Sequence, residues 1–177
     1  CRAAPSAAVQ EPLVAPSAAL PAATPSTSSR DTPDRWIPAP GASWQWQLSE
    51  LPADLEAEAQ VFDLDLFETD EETIDALHAR CARVICYLSA GSWEDWRPDA
   101  ALFPDEVIGD KYEGWPGERW LDIRRIDLLG PLMTARLRLC REKGFDAVEP
   151  DNIDGYTNDT GFPITYDDQL RFNRWLV

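Results

Sequence analysis

The sequence predicts an α/β protein organised on a parallel sheet. Short β-branched or aromatic runs alternate with segments of helical period along residues 41–177. One of those runs is almost wholly apolar, as a strand covered on both faces would be. Acidic residues recur where the runs end, which is the edge at which parallel α/β folds place their ligands.

Ser43-Trp44-Gln45-Trp46-Gln47-Leu48 alternates in polarity and reads as the first strand, and Ala59 to Asp65 reads as the second. Thr69-Asp70-Glu71-Glu72 has the T-x-x-E spacing of a capping box, so a helix should start there. Ile74, Leu77 and Cys81 give that helix an apolar face. Arg83 to Leu88 is the apolar third strand, and Arg119 to Ile123 is a shorter fourth. Leu128, Leu132, Leu137 and Cys140 mark a second helix, with Pro131 placed in its first turn and Gly144 at its C-cap. Phe145 to Glu149 is a fifth strand, and Tyr166 to Val177 a third helix. An eight-stranded (β/α) barrel takes about 250 residues, so two architectures fit: an open sheet, or a barrel cut short. Val177 falls inside an apolar helical segment containing Phe172, Trp175 and Leu176, which favours the barrel.

Residues 1–40 differ in texture. Eight prolines, from Pro5 to Pro40, punctuate an Ala/Ser/Thr-rich stretch with few large apolar side chains. Such a stretch cannot bury enough surface to offset its ordering entropy, and it reads as a disordered linker. A chain beginning at Cys1 ahead of a linker has the form of a processed lipoprotein, so Cys1 is the expected lipid anchor and a possible membrane tether. Residues 41–177 form the predicted catalytic portion.

Charge and composition exclude several functions. The formal net charge is -16, and residues 1–40 balance three arginines against three acids, so the acidic excess lies in residues 41–177. That field repels nucleic acid and anionic lipid, and it attracts cationic polymers. The single histidine, His78, lies in a charged stretch and reads as an exposed helix residue. Multi-histidine zinc sites and Ser-His-Asp chemistry are thereby disfavoured. A Ca²⁺ or Mg²⁺ site would call for a denser ligand pattern. No metal or cofactor is expected, and carboxylates are left as the acid/base groups. Cys81, Cys86 and Cys140 do not declare a pairing by their spacing, and Cys86 reads as a small buried hydrophobe.

The candidate site residues follow from position. Asp63 and Asp65 close the second strand, Glu94 follows the third, and Asp122 ends the fourth. Each could instead cap a helix or pair with an arginine such as Arg97 or Arg124. Glu149-Pro150-Asp151-Asn152, followed by Asp154 and Tyr156, closes the fifth strand. Glu149 and Asp151 share parity and face one side if the strand continues through Pro150. Like charges held close raise one pKa, as a general acid requires. Among the tryptophans, Trp44 and Trp120 read as core, whereas Trp93 and Trp115 lie in Gly-flanked segments and are better placed to stack on sugar rings.

Several segments together resemble glycoside hydrolase family 114, the endo-α-1,4-polygalactosaminidases. They are Trp44 to Leu48, Val61 to Phe67, Val84 to Pro98 (with Ser89-Ala90-Gly91-Ser92-Trp93-Glu94-Asp95-Trp96-Arg97-Pro98), Gly114 to Glu118, Lys143 to Asn152 and Gly161-Phe162-Pro163. The resemblance implies a (β/α)8 TIM-type barrel, present here through about five strands. It also implies a secreted or cell-surface enzyme that hydrolyses α-1,4-linked galactosamine-containing polysaccharide. It maps a catalytic carboxyl onto Asp151, with nucleophile the preferred role, and sets Glu149 beside it. Asp63, Asp65, Glu94, Trp93, Asp122, Asn152, Asp154 and Tyr156 are then expected to bind substrate. The second carboxyl is expected on a later strand, beyond Val177, so residues 1–177 alone should be inactive. Retention and inversion both stay open. A non-catalytic, surface-tethered polysaccharide-binding barrel is the rival reading.

Overall fold

The computed structural model describes residues 36–49, 55 and 58–177. The lipid attachment at Cys1 and almost all of the 1–40 linker lie outside the described residues. Pro38–Val177 forms one unit.

Four strands build a parallel sheet in the order β1-β2-β3-β7. They are β1 (Trp44–Gln47), β2 (Val61–Asp65), β3 (Arg83–Ser89) and β7 (Ala147–Asp151). Helix α1 (Glu71–Ala79) connects β2 to β3, and α2 (Ile126–Lys143) precedes β7. Helix α3 (Tyr166–Leu176) follows β7. This repeated strand–helix order is that of part of a (β/α) barrel.

The fourth expected strand is not in that sheet. Residues Glu118–Leu121 form β6 of a separate antiparallel sheet, ordered β4-β6-β5, with β4 (Ser92–Glu94) and β5 (Ile108–Lys111). This sheet is inserted between β3 and α2. A four-residue apolar run looks the same in either setting, and only its pairing partners tell the two apart.

The two faces of the parallel sheet differ in chemistry because side chains alternate along each strand. One face packs on the helices. Phe62, Leu64 and Val84 meet Ile74 and Leu77 of α1, and Cys86 and Leu88 meet Leu129, Met133 and Cys140 of α2. Cys86 is no simple hydrophobe: it is disulfide-bonded to Cys140. The other face carries Asp63, Asp65, Tyr87, Ser89, Glu149 and Asp151, aligned by the registers Asp65↔Tyr87↔Glu149 and Ser89↔Asp151. The burial of β3 accordingly alternates and is not complete on both faces.

Several local expectations shift. The N-cap of α1 is Asp70, whose carboxylate accepts from the Thr73 N–H at 2.8 Å, and not Thr69, which is fully buried. Helix α2 starts at Ile126, so Pro131 lies in its second turn. Gly144 does cap it, with φ 96. The capping box occurs at α3, between Thr165 and Asp168. His78 is half-buried and meets Asp146 Oδ2 at 2.9 Å, while Arg83 and the Val84 N–H bind the same carboxylate. Burial pushes the Asp146 pKa up, but these three partners outweigh it and hold the group below its ordinary value.

Candidate active site

The site forms where β2, β3 and β7 end. Strand β7 runs through Pro150 to Asp151, so Glu149 and Asp151 do project to the same face. Asp151 is half-buried, and its Oδ2 accepts from the Tyr87 hydroxyl at 2.7 Å. Burial raises the Tyr87 pKa, and the adjoining Asp151 carboxylate raises it further, so the phenol keeps its proton and stays a donor. No guanidinium pairs with Asp151 among the described residues.

Asp63 lies below, with 4% of its surface exposed and Oδ1 lacking any donor. Its pKa is raised to about 9, by burial first, then by a hydrogen bond with Glu149 and by the charges of Glu149 and Asp151. A protonated Asp63 therefore donates to Glu149 near neutral pH. Asp63 thus lies beside Glu149 and is not among the residues that line the cleft.

The turn after β7 is locked to the turn after β3. The Ala90 and Gly91 N–H groups donate to the Asp151 carbonyl. Asn152 adopts φ 59, and its Nδ2 donates to Ser89 Oγ and Ser92 Oγ at 3.0 and 2.9 Å. A Cβ on residue 91 would sit 1.7 Å from the Asn152 carbonyl oxygen, so only glycine fits. Asn152 thus braces the site from a buried position.

Asp65 and Glu94 line the cleft but are held by Arg97. That guanidinium donates to both Asp65 oxygens, at 2.8 and 2.6 Å, and to Glu94 Oε1 at 2.7 Å. Burial opposes its charge, but Glu94 and Asp65 outweigh that and hold the Arg97 pKa above its ordinary value. Asp122 pairs with Arg124 at 2.7 Å and does not line the cleft. Trp93 packs against the core, donates from Nε1 to the Ala100 carbonyl and lines a second concavity beside the cleft. Tyr156 is exposed but turns its ring edge to Tyr166, and neither it nor Asp154 lines the cleft.

The cleft itself has a volume of about 570 Å³. Asp151 and Tyr87 line its floor, and Trp46, Trp96, Tyr112 and Trp115 provide aromatic walls. Trp44, expected in the core, is instead 65% exposed on the edge strand β1. Trp120 is buried as expected.

Sequence reasoning missed Glu118 and Tyr87. Glu118 begins β6 and lines the same cleft, and its Oε2 accepts from Ser92 Oγ at 2.8 Å. Tyr87 could have been found by parity, since it shares a face with Ser89 on an otherwise apolar strand. Nothing in the linear order brings Glu118 close to Asp151. Among the described residues no group of three or more His, Cys, Asp or Glu side chains could hold a metal ion.

The sequence profile of Glycoside-hydrolase family GH114 matches residues 25–177. The chain belongs to family GH114. Among solved structures, Aspergillus fumigatus Ega3 in complex with galactosamine is similar to this GH114 chain at 43% identity and a TM-score of 0.77. The match covers 80% of this chain and 56% of that one. The glycoside hydrolase domain of a PelA variant from Pseudomonas aeruginosa matches at 15% identity and a TM-score of 0.57, over 76% of this chain and 51% of that one. That second likeness speaks to fold alone. The GH114 chain therefore spans little more than half the length of either structure. No curated protein matches it.

Proposed function

We propose that this GH114 chain forms part of an endo-acting glycoside hydrolase that cleaves α-1,4-linked galactosamine-containing polysaccharide, with Asp151 as one of its two catalytic carboxyl groups. The observation that carries this is the placement of Asp151. It is half-buried, held by the Tyr87 hydroxyl at 2.7 Å and aimed into an aromatic-walled cleft. Aromatic faces suit the apolar faces of sugar rings, while carboxylates suit hydroxyl and ammonium groups. The acidic balance of -16 favours a cationic polymer. The galactosamine bound in Ega3 supports the same substrate class.

Tyr87 has a defined role in this reading. By donating to Oδ2 it fixes the carboxylate plane and leaves Oδ1 to face substrate, as a nucleophile in a double displacement requires. Asp63, kept protonated and hydrogen-bonded to Glu149, adds no charge beside Asp151 near neutral pH. Asp65 and Glu94, which share the single charge of Arg97, shape the wall. The Cys86–Cys140 disulfide is consistent with an oxidising compartment and so with a secreted or surface location.

The test uses the full-length protein and an α-1,4-linked galactosamine oligomer. Asp151→Asn should lower turnover by a factor on the order of 10²–10⁴, with binding and the circular dichroism spectrum retained. Near-wild-type turnover would overturn the assignment. Tight oligomer binding by the wild type without cleavage would favour the binding-only reading.

A further inference from the structure

We propose that Glu118, the first residue of β6, binds the ammonium group of the sugar and so sets a preference for free amino sugars over N-acetylated ones. This rests on the substrate class proposed above.

The argument begins with where each acid at the cleft spends its charge. Asp65 is bound bidentately by Arg97, and Glu94 Oε1 meets the same guanidinium. Asp63 is buried and protonated, and Asp151 is held by Tyr87. Glu68 sits on the rim but is exposed, so water compensates it. Glu118 differs from all of these. It is 8% exposed, its Oε2 accepts only a neutral hydroxyl, and Oε1 has no donor among the described residues. No arginine or lysine forms an ion pair with it there. Burial, together with the charges of Glu94 and Asp151, pushes its pKa up, and the Ser92 hydroxyl and the charge of Arg97, which is not bonded to it, offset this only in part. A buried carboxylate without a directly bonded cation is costly, and an arriving ammonium group would supply that contact.

A second observation points to a ligand at the same place. Glu94 faces Glu118 across the β4–β6 ladder, and like charges set opposite one another destabilise a sheet. Glu94 is 3% exposed, lines the cleft, and its Oε2 has no hydrogen-bond partner. Two adjacent acids thus hold unused acceptor capacity toward one cleft, and Arg97 neutralises only one of them.

The surrounding turn is built to present these groups together. The Glu118 N–H donates to the Trp115 carbonyl at 3.1 Å, which places Trp115 and Glu118 on one tight turn. Gly117, at φ 92, lets that turn press on Asp95 and Trp96, where a Cβ would come within 2.8 Å of both. Trp115, Tyr112 and Glu118 also line a second concavity of about 720 Å³ on the far side of the turn. A sugar ring stacked on Trp115 would bring its substituents to the Glu118 carboxylate at the junction of the two.

The experiment measures binding, so it is read separately from cleavage. Full-length protein carrying Asp151→Asn, which keeps oligomers intact, is titrated with an α-1,4-linked galactosamine pentamer and with its fully N-acetylated counterpart. Adding Glu118→Gln, which keeps an acceptor for Ser92, should weaken pentamer binding by about tenfold or more. Binding of the N-acetylated pentamer should stay within about twofold, because no ion pair is lost there. Equal losses for both ligands, or no loss for either, would overturn the proposal. So would a wild-type preference for the N-acetylated ligand. If Glu118→Gln fails to fold, the Asp151→Asn protein with Glu118 unchanged decides. Carbodiimide coupling in the presence of the galactosamine pentamer should join its amine to Glu118, as mapped by peptide mass spectrometry. Adducts confined to other carboxyl groups would sink the idea. Absence of cleavage by the wild type, with these binding results intact, would count against the hydrolase reading alone.

Discussion

Asp63 illustrates how one residue can couple chemistry to stability. In the folded protein it keeps its proton up to about pH 9, whereas an unfolded aspartate loses it near 3.8. Between those values the folded state binds more protons, so this group lowers stability progressively as pH rises through the window. Asp63→Asn can still donate to Glu149 and carries no such titration. The variant should therefore gain stability over the wild type increasingly between pH 4.5 and 8.5, values chosen inside that window of about 3.8 to 9. Denaturant midpoints at several pH values check this, and a difference independent of pH would contradict it. Tyr87 makes a companion prediction. Tyr87→Phe removes one hydrogen bond to a carboxylate, which is worth about 1.5–3 kcal/mol. In the full-length enzyme kcat should fall by roughly 10- to 100-fold with little change in KM.

Packing between elements decides how firmly those residues are held. The Cys86–Cys140 bridge ties β3, which bears Tyr87, to α2 across 54 residues of sequence. Closing a loop of that length in the unfolded chain should contribute about 2–4 kcal/mol. Replacing both cysteines with alanine should lower the unfolding free energy by about that amount, as read by denaturant titration. The β3–β7 rim is held more locally. Gly91→Ala would drive a methyl group into the Asn152 carbonyl, separating the turn that holds Asp151 from the turn that holds Ser92. The expected cost is about 3 kcal/mol, with a larger loss of turnover than a mutation of equal cost in α1, where no site residue is braced. Both readouts are accessible by parallel calorimetry and activity assay.

At the scale of the whole molecule, charge dominates. Thirty-two acids against 16 basic residues give the protein a field that concentrates cationic ligands near the cleft. Added salt screens exposed charges beyond about 8 Å at physiological ionic strength. The affinity of the full-length protein for a galactosamine oligomer should therefore fall several-fold between low and physiological salt, mostly through slower association. Affinity for the N-acetylated oligomer should barely move, and stopped-flow measurements at varied salt would show whether this is so. Strand β1 leaves Trp44 and Trp46 exposed, and Trp46 lines the cleft. Strands β1 and β7 are the two edges of the described sheet.

The linear sequence by itself determined the α/β class, the helix cap at Gly144 and the Glu149-Pro150-Asp151 strand end, because each depends on local periodicity or on one residue's backbone preferences. It also carried the family, through short motifs whose spacing is retained along the chain. It could not separate Arg119–Ile123 from a barrel strand, since antiparallel and parallel partners impose nearly the same pattern on four residues. Nor could it pair Cys86 with Cys140, find that Arg97 bridges Asp65 and Glu94, or place Glu118 in the same cleft as Asp151. Those facts arise from contacts between segments far apart in sequence, and the energies involved, burial and charge compensation, depend on what surrounds a side chain and not on its neighbours along the chain. Tertiary structure alone decided which acids were already matched and which were left facing the cleft.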